Sequence, residues 1–384
     1  MSRRAFVIVL DACGAGALPD AASYGDAGAN TLAHVAEAVG GLDLPVLGSL
    51  GLGSILPLAG VPPAAHPVLH GRAHPLGPGK DTISGHWELM GVVPPHPLRT
   101  YPEGFPGEVT GALARAAGRG ILCNRPYSGT AVIEDFGERH LRGGELIVYT
   151  SADSVLQIAA HEDVVPREEL YAVCASAREI MRGEHAVGRV IARPFRGTPG
   201  AFERTAGRRD LAVEPPGRSY LQELQDAGVL VHTVGKVGQV FAGVGVDEQH
   251  PGATNAAAIE TTNALMEGLS GGLVFANLVE TDQVYGHRRD VEGFHRALRE
   301  IDRAVGGWLE RCDERRDLLV LTADHGVDPT TPGTDHTREY VPVLAAFAGH
   351  GSRRHDGPMA DVGASVLRWL ADRDASVLPG EAFV

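Results

Sequence analysis

Apolar residues fall into short continuous runs along the chain, each closed by a polar or glycine-rich turn: residues 5–10, 146–150, 189–192, 229–234, 273–279, 318–322 and 341–347. Because these runs are continuous rather than alternating, they predict strands covered on both faces, as in a mostly parallel sheet. Helical periodicity lies between them. Phe294, Leu298, Ile301, Val305, Trp308 and Cys312 recur at spacings of three and four, which predicts a helix over 291–312. Leu32, Val35, Ala36 and Val39 predict another over 31–39, with Asn30 as its cap and Gly40-Gly41 as its stop. Leu170, Val173, Cys174, Ala177 and Ile180 make a third stripe. Strands alternating with helices give an α/β fold.

The texture changes between about His96 and Gly217. Turn prolines punctuate this stretch (Pro102, Pro106, Pro126, Pro194, Pro199, Pro215 and Pro216), and it carries an arginine group, Arg193, Arg196, Arg204, Arg208 and Arg209. We expect an inserted α/β domain over 98–217, with 1–97 and 218–384 forming one discontinuous core. Composition narrows the function. Of 384 residues, 34 are Lys or Arg and 48 are Asp or Glu, a formal charge of −14, which argues against general nucleic-acid binding and leaves room for a local basic pocket for a small anion. The start briefly imitates a signal peptide, but its apolar run of residues 5–10 is interrupted by Asp11, short of the ~7–15 residues such a segment needs. No apolar stretch approaches the ~20 residues of a membrane span. The four cysteines, Cys13, Cys123, Cys174 and Cys312, are widely spaced without a C-x-x-C pair and read as reduced thiols of a cytoplasmic protein.

Ligand-type residues gather where the apolar runs end. Asp11 closes the first, Asp282 follows the run at 273–279 with His287 five residues on, Asp324 and His325 follow 318–322, and His336 lies in Gly333-Thr334-Asp335-His336. Carboxyl ends of strands in open α/β sheets are where ligand sites form. A carboxylate and imidazole set without thiolate suits Mn²⁺, Zn²⁺ or Fe²⁺ rather than a structural zinc. Taken singly, each Asp is better explained as a turn residue or cap, and each His as a surface or hydrogen-bonded core residue; it is the constellation at several strand ends that points to two metals. The loop Gly79-Lys80-Asp81-Thr82-Ile83-Ser84-Gly85-His86 presents a hydroxyl that metals could activate as a nucleophile. Its plainer reading is a helix start capped by Asp81 or Thr82 before residues 86–90.

Together these segments resemble the phosphopentomutase family of the alkaline phosphatase superfamily. The match rests on Lys80-Asp81-Thr82-Ile83-Ser84-Gly85-His86-Trp87-Glu88, Asp282-x-x-Tyr285-Gly286-His287-Arg288-Arg289-Asp290, and Thr322-Ala323-Asp324-His325-Gly326 with Gly333-Thr334-Asp335-His336-Thr337-Arg338-Glu339. It extends to Asp11-x-x-Gly14-x-Gly16, Pro19-Asp20-Ala21, Tyr24-Gly25-Asp26, Tyr149-Thr150-Ser151-Ala152-Asp153-Ser154, Ala159-Ala160-His161-Glu162 and Ala192-Arg193-Pro194-Phe195, and so covers nearly the whole chain. The resemblance implies an alkaline-phosphatase-like core, a central mostly parallel sheet between helices, with the insert as a substrate-recognition cap. It implies one metal on Asp11, Asp324 and His325, a second on Asp282, His287 and His336, Mn²⁺ as the metal, and Thr82 as the phosphorylated nucleophile. Ser151, Arg193, Arg208 and Lys236 match substrate-binding positions. The implied activity interconverts ribose 1-phosphate and ribose 5-phosphate, and the 2-deoxyribose pair, through a 1,5-bisphosphate, with that bisphosphate or glucose 1,6-bisphosphate as activator. Its partners are small pentose phosphates rather than nucleic acid or membrane, and the expected state is a cytoplasmic monomer. The alternative is a phosphatase or phosphodiesterase on the same metal site. The chain departs from the family pattern at Ala12-Cys13 after Asp11, at Glu280-Thr281 before Asp282 and at Val327 after Gly326; none of these removes an implied ligand.

Overall fold

The computed structural model describes residues 2–151, 154–375 and 377–384. It forms two compact units, residues 1–97 with 214–384, and Leu98–Val213. The second break falls four residues before Gly217 (217 − 213). Ala152 and Asp153, inside the run from Tyr149 to Ser154, lie outside the described residues.

An eight-stranded sheet organises the larger unit. Its order is Glu248–His250, Val231–Val234, Gly272–Leu278, Arg4–Leu10, Asp317–Thr322, Val341–Ala346, Leu69–His74 and Gly357–Pro358. The first five strands are mutually parallel, whereas Val341–Ala346 runs antiparallel to both neighbours. Every residue of Arg4–Leu10 and Gly272–Leu278 is buried, as continuous apolar strands require when helices cover both faces. One group of helices (Thr31–Ala38, Pro45–Leu50, Asn255–Gly268 and Val291–Arg311) packs together, and so does a second (Thr82–Leu89, Tyr220–Asp226 and Ala360–Ala371). Asn30 occupies the cap position before Thr31–Ala38, but its side chain makes no capping hydrogen bond. Its backbone N–H instead donates to Asp328 Oδ2 at 3.4 Å.

The parallel arrangement has a functional consequence. Gly272–Leu278, Arg4–Leu10 and Asp317–Thr322 are neighbours in the centre of the sheet and end at the same edge. Residues distant in sequence, those after 278, 10 and 322, are thereby delivered side by side. Val231–Val234, next in order, ends there too. At the opposite edge Arg4 forms a two-pronged ion pair with Asp317, Nε to Oδ1 at 2.8 Å and Nη2 to Oδ2 at 2.6 Å. Arg4 thus ties the first strand to Asp317–Thr322.

The smaller unit has its own sheet, ordered Ile121–Pro126, Leu146–Thr150, Val155–His161, Arg189–Arg196 and Glu203–Arg204, with Arg209–Ala212 also paired to Arg189–Arg196. Leu146 and Val148 join the core built with helices Gly107–Ala117 and Arg167–Ile180, while Ile147 and Tyr149 join the one built with Ala131–Gly143. Alternate residues of one strand therefore face helices on opposite sides. All four cysteines are unpaired. No helix among the described residues is long and apolar enough to cross a membrane.

Candidate metal centre and nucleophile

Asp11 follows directly on the first strand, fully buried. The next residue, Ala12, adopts the left-handed backbone region (φ 63°), uncommon for a residue with a Cβ. The turn aims its N–H at Asp324 Oδ1, 3.3 Å away, while its carbonyl accepts from Val327 N at 3.2 Å. Asp11 and Asp324 are thereby locked together from adjacent strands. Asp282 comes from a different device. Residues Thr281–Gly286 form a π-helix, and His287 N donates to Asp282 O, five residues back, at 3.2 Å. That i, i+5 bond stacks His287 over Asp282 on one side of the turn, and π-turns recur at functional sites.

These residues converge. His287 Nε2 lies 3.3 Å and His336 Nε2 3.5 Å from Asp282 Oδ1. His325 Nε2 lies 3.5 Å from Asp11 Oδ1 and 3.3 Å from Asp324 Oδ2. Two triads could hold cations: Asp282, His287 and His336, and Asp11, Asp282 and His325. The second differs from the expected Asp11, Asp324 and His325 in one member. Asp324 nevertheless stays beside that triad, its Oδ2 3.3 Å from His325 Nε2 and 3.1 Å from His86 Nδ1. Buried Asp11 Oδ1, Asp282 Oδ1, Asp324 Oδ2 and His336 Nε2 have no hydrogen-bond partner among the described residues. Unsatisfied buried carboxylate oxygens are costly. Three such oxygens and an imidazole nitrogen on one cluster fit divalent cations that take carboxylate and imidazole ligands.

The electrostatics agree. Among the described residues, the three carboxylates are faced by the ammonium of Lys236, which contacts Asp11 Oδ2 and donates to Thr82 Oγ1 at 3.3 Å. Burial, with the neighbouring Asp324, pushes the Asp11 carboxyl well above the ordinary range. For Asp324 burial acts the same way, but His325 and His86 outweigh it and hold the carboxyl low. Burial likewise acts to raise Asp282, and His336, His325 and Lys236 together bring it down. Burial pushes His325 down to about 4, so it is a neutral, ligand-competent imidazole at neutral pH.

Thr82 stands at the edge of this cluster. Its helix, Thr82–Leu89, is capped by Asp81, whose Oδ1 accepts from Ile83 N (3.0 Å) and Ser84 N (3.1 Å). With Asp81 as the cap, the Thr82 hydroxyl turns to His325 Nε2 at 3.0 Å. Gly85 permits the approach, because a Cβ there would stand 2.2 Å from Asp324 O. The preceding loop is pinned on several sides. Lys80 Nζ lies 3.1 Å from both Asp26 Oδ2 and Asp335 Oδ2. Arg338 Nη1 donates to Gly79 O at 2.6 Å and Nη2 to Asp20 Oδ2 at 3.1 Å, and Tyr24 Oη donates to Pro78 O at 3.0 Å.

Sequence reasoning assigned no role to Asp20, Asp26 or Arg338, although all three stand in the motifs it singled out. It also missed Asn277, whose Nδ2 lies 3.0 Å from Asp11 Oδ2 and 3.2 Å from His86 Nε2. A lone amide inside the apolar run at 273–279 was the available signal. Glu339 was passed over as well: its carboxylate accepts from Thr31, Thr337 and Gly16.

The remaining candidates belong to the smaller unit. Arg193 lies within Arg189–Arg196, and its Nε donates to Gln157 Oε1 at 3.1 Å. Arg208 precedes Arg209–Ala212 and holds Asp210 with two bonds, 2.7 and 2.6 Å. The register pairs Ala192 with Arg209, which brings Arg193 and Arg208 alongside each other. Burial, then the charge of Arg208, lowers Arg193. Ser151 follows the strand Leu146–Thr150.

Comparison with known proteins places this geometry. The Metalloenzyme superfamily matches residues 3–371. A phosphopentomutase of Caldanaerobacter subterraneus subsp. tengcongensis is 49% identical over 370 residues, covering 95% of this chain and 94% of that protein. One of Symbiobacterium thermophilum is 52% identical over 345 residues, 89% of this chain and 87% of the relative. A solved structure of a Pyrococcus horikoshii protein aligns over 98% of this chain and 99% of its own, with TM-score 0.53 and 15% identity. A Leishmania mexicana phosphoglycerate mutase aligns over 99% and 97%, with TM-score 0.50 and 13% identity; these two support the fold alone. The fold is alkaline-phosphatase-like, and the chain belongs to the phosphopentomutase family, an isomerase family of the metalloenzyme superfamily.

Proposed function

We propose that the chain interconverts ribose 1-phosphate and ribose 5-phosphate, and the corresponding 2-deoxyribose phosphates, through a phosphothreonine at Thr82 and a sugar 1,5-bisphosphate. The observation that carries this reading is the Thr82 hydroxyl, 3.0 Å from His325 Nε2, at the edge of a buried cluster of unsatisfied ligand atoms. Asp282, His287 and His336 would hold one cation, and Asp11, Asp324 and His325 a second, with Asp282 near enough to serve both. Two such ions, Mn²⁺ on the family's pattern, supply charge neutralisation on the transferring phosphoryl oxygens.

The chain's own residues do the rest. Asp81, Lys80, Arg338 and Tyr24 fix the loop so that the phosphoryl group on Thr82 stays in one place. A hydroxyl of the sugar monophosphate attacks that phosphorus as its bond to Thr82 Oγ1 breaks. The bisphosphate then reorients, and Thr82 takes the phosphoryl group from the other carbon. Lys236 offers a cation beside Thr82, and Arg193, Arg208 and Ser151 of the insert bind the non-transferring phosphate; guanidinium groups suit that task because they bind phosphate bidentately. Residues 98–217 act as the substrate-recognition cap, excluding water from the phosphothreonine. The activator is the 1,5-bisphosphate or glucose 1,6-bisphosphate, which restores phosphate on Thr82, and the enzyme works as a cytoplasmic monomer.

Following ribose 1-phosphate by phosphorus NMR with Mn²⁺, with and without a bisphosphate primer, tests the proposal. The expected result is primer-stimulated conversion to ribose 5-phosphate with no stoichiometric inorganic phosphate. Release of one phosphate per sugar would make the chain a phosphatase instead.

A further inference from the structure

The edge of the large sheet holds a second group of ligand-type side chains. The short strand Glu248–His250 pairs in parallel with Val231–Val234, setting Glu248 opposite His232. Side chains at i and i+2 of a strand share a face, so Glu248, His250 and His232 project from two adjacent strands on one side. His232 Nδ1 lies 3.1 Å from His250 Nε2. Glu248 Oε2 lies 3.5 Å from the first of these nitrogens and 3.6 Å from the second. The imidazole rings are stacked, with centroids 5.4 Å apart and planes 24° apart.

The triangle has the size of a metal site. Ligands at about 2.0–2.1 Å in tetrahedral array stand about 3.3 Å from one another, and the three edges here are 3.1, 3.5 and 3.6 Å. A hydrogen bond between the two imidazoles accounts for one edge only. It leaves the Glu248 carboxylate facing the accepting nitrogen's lone pair. Glu248 has no Lys or Arg partner among the described residues; its ion-pair neighbours are these two histidines. His232 is buried, and its other nitrogen, Nε2, has no hydrogen-bond partner among the described residues. Its polar contacts are thus directed through Nδ1 into the triangle. Burial also holds His232 below its ordinary titration range, leaving it a neutral ligand at pH 7. The Glu248 side chain is more than half exposed, so a fourth position would open to solvent.

We propose that His232, Glu248 and His250 form a binding site for a borderline divalent cation of the Zn²⁺ class, separate from the catalytic centre, that clamps the edge strand to its neighbour. Two imidazoles and one carboxylate favour Zn²⁺ over Mn²⁺ or Mg²⁺. Binding only the folded chain, the ion would raise its stability.

The test loads the Mn²⁺ enzyme with micromolar Zn²⁺, removes free metal by gel filtration, and counts zinc per chain in wild type, His250→Gln and Glu248→Gln. Both substitutions lie on the edge strand and leave the catalytic residues intact, so the Mn²⁺-supported activity checks the fold. The expected result is one zinc atom fewer per chain in each variant, at least about a tenfold rise in the Kd of that site, and loss of the zinc-dependent increase in Tm. Equal zinc content and an equal Tm response in wild type and both variants would overturn the proposal. So would zinc that is lost with Asp282→Asn but fully retained in His250→Gln and Glu248→Gln.

Discussion

Glu88 lies six residues beyond Thr82, buried, with its carboxylate accepting from the Leu76 and Gly77 amides at the start of the Thr82 loop. Burial, only partly offset by those two bonds, raises its pKa from 4.5 to about 7. Folding therefore favours the protonated form. That contribution is fully present below about pH 4.5 and is lost as pH rises through about 7, a change on the order of 3 kcal/mol. Urea midpoints measured from pH 4 to 8 should fall over this window in wild type and stay flatter in Glu88→Gln; parallel profiles would assign the pH dependence elsewhere. How much was legible at this scale differs between neighbours. Asp81 was readable as a cap because capping depends on local sequence. The direction of the Thr82 hydroxyl was not, since it depends on Gly85 closing against Asp324 from a strand more than 200 residues away. His86 and Asn277 escaped for the same reason: their partners are brought by the sheet, not by the chain nearby.

Among the elements, the long parallel strands were the most legible, because burial on both faces writes itself as an unbroken apolar run. The short edge strand Glu248–His250 and Leu69–His74, where His70-Gly71-Arg72 interrupts the apolar residues, carry no such run and were missed, as was the buried Val155–His161, broken by Gln157. The first strand owes its place to more than apolarity. Arg4 and Asp317 are both buried, and removing one partner of such a pair strands the other charge. Arg4→Ala is expected to cost about 3–5 kcal/mol, read as a lowered urea midpoint; a cost below about 1 kcal/mol would mean the pair is dispensable. The π-helix yields a second expectation. Because the i, i+5 bond is what sets the His287 imidazole beside Asp282, His287→Ala should leave circular dichroism unchanged while elemental analysis finds less bound Mn²⁺. Full metal content in this variant would show that His287 is not needed as a ligand.

Over the whole molecule, a formal charge of −14 repels sugar phosphates, and a local cationic group is needed to overcome that field. The arginine cluster in 98–217 was visible in the sequence as a change of texture. That Arg208 already holds Asp210 was passed over, although the two stand at i and i+2 of an extended segment and so on one face. Arg193→Ala or Arg208→Ala should lower kcat/KM for ribose 5-phosphate by roughly ten- to a hundredfold, the loss of about 1.5–3 kcal/mol for a charge-assisted contact. Hydrolysis of a small aryl phosphate, which lacks the second phosphate, should change much less; equal losses would assign both arginines to the fold. Removing metal with a chelator should abolish both activities, and Mn²⁺ should restore them. The claim on which everything else rests is that Thr82 carries the phosphoryl group. Intact-mass and peptide mass spectrometry after incubation with sugar 1,5-bisphosphate tests it most directly. The expected result is a gain of about 80 Da located at Thr82, absent from Thr82→Ala and discharged by ribose 5-phosphate. A fully active enzyme with no phosphate at Thr82, or a Thr82→Ala variant that still isomerises the substrate, would contradict the account.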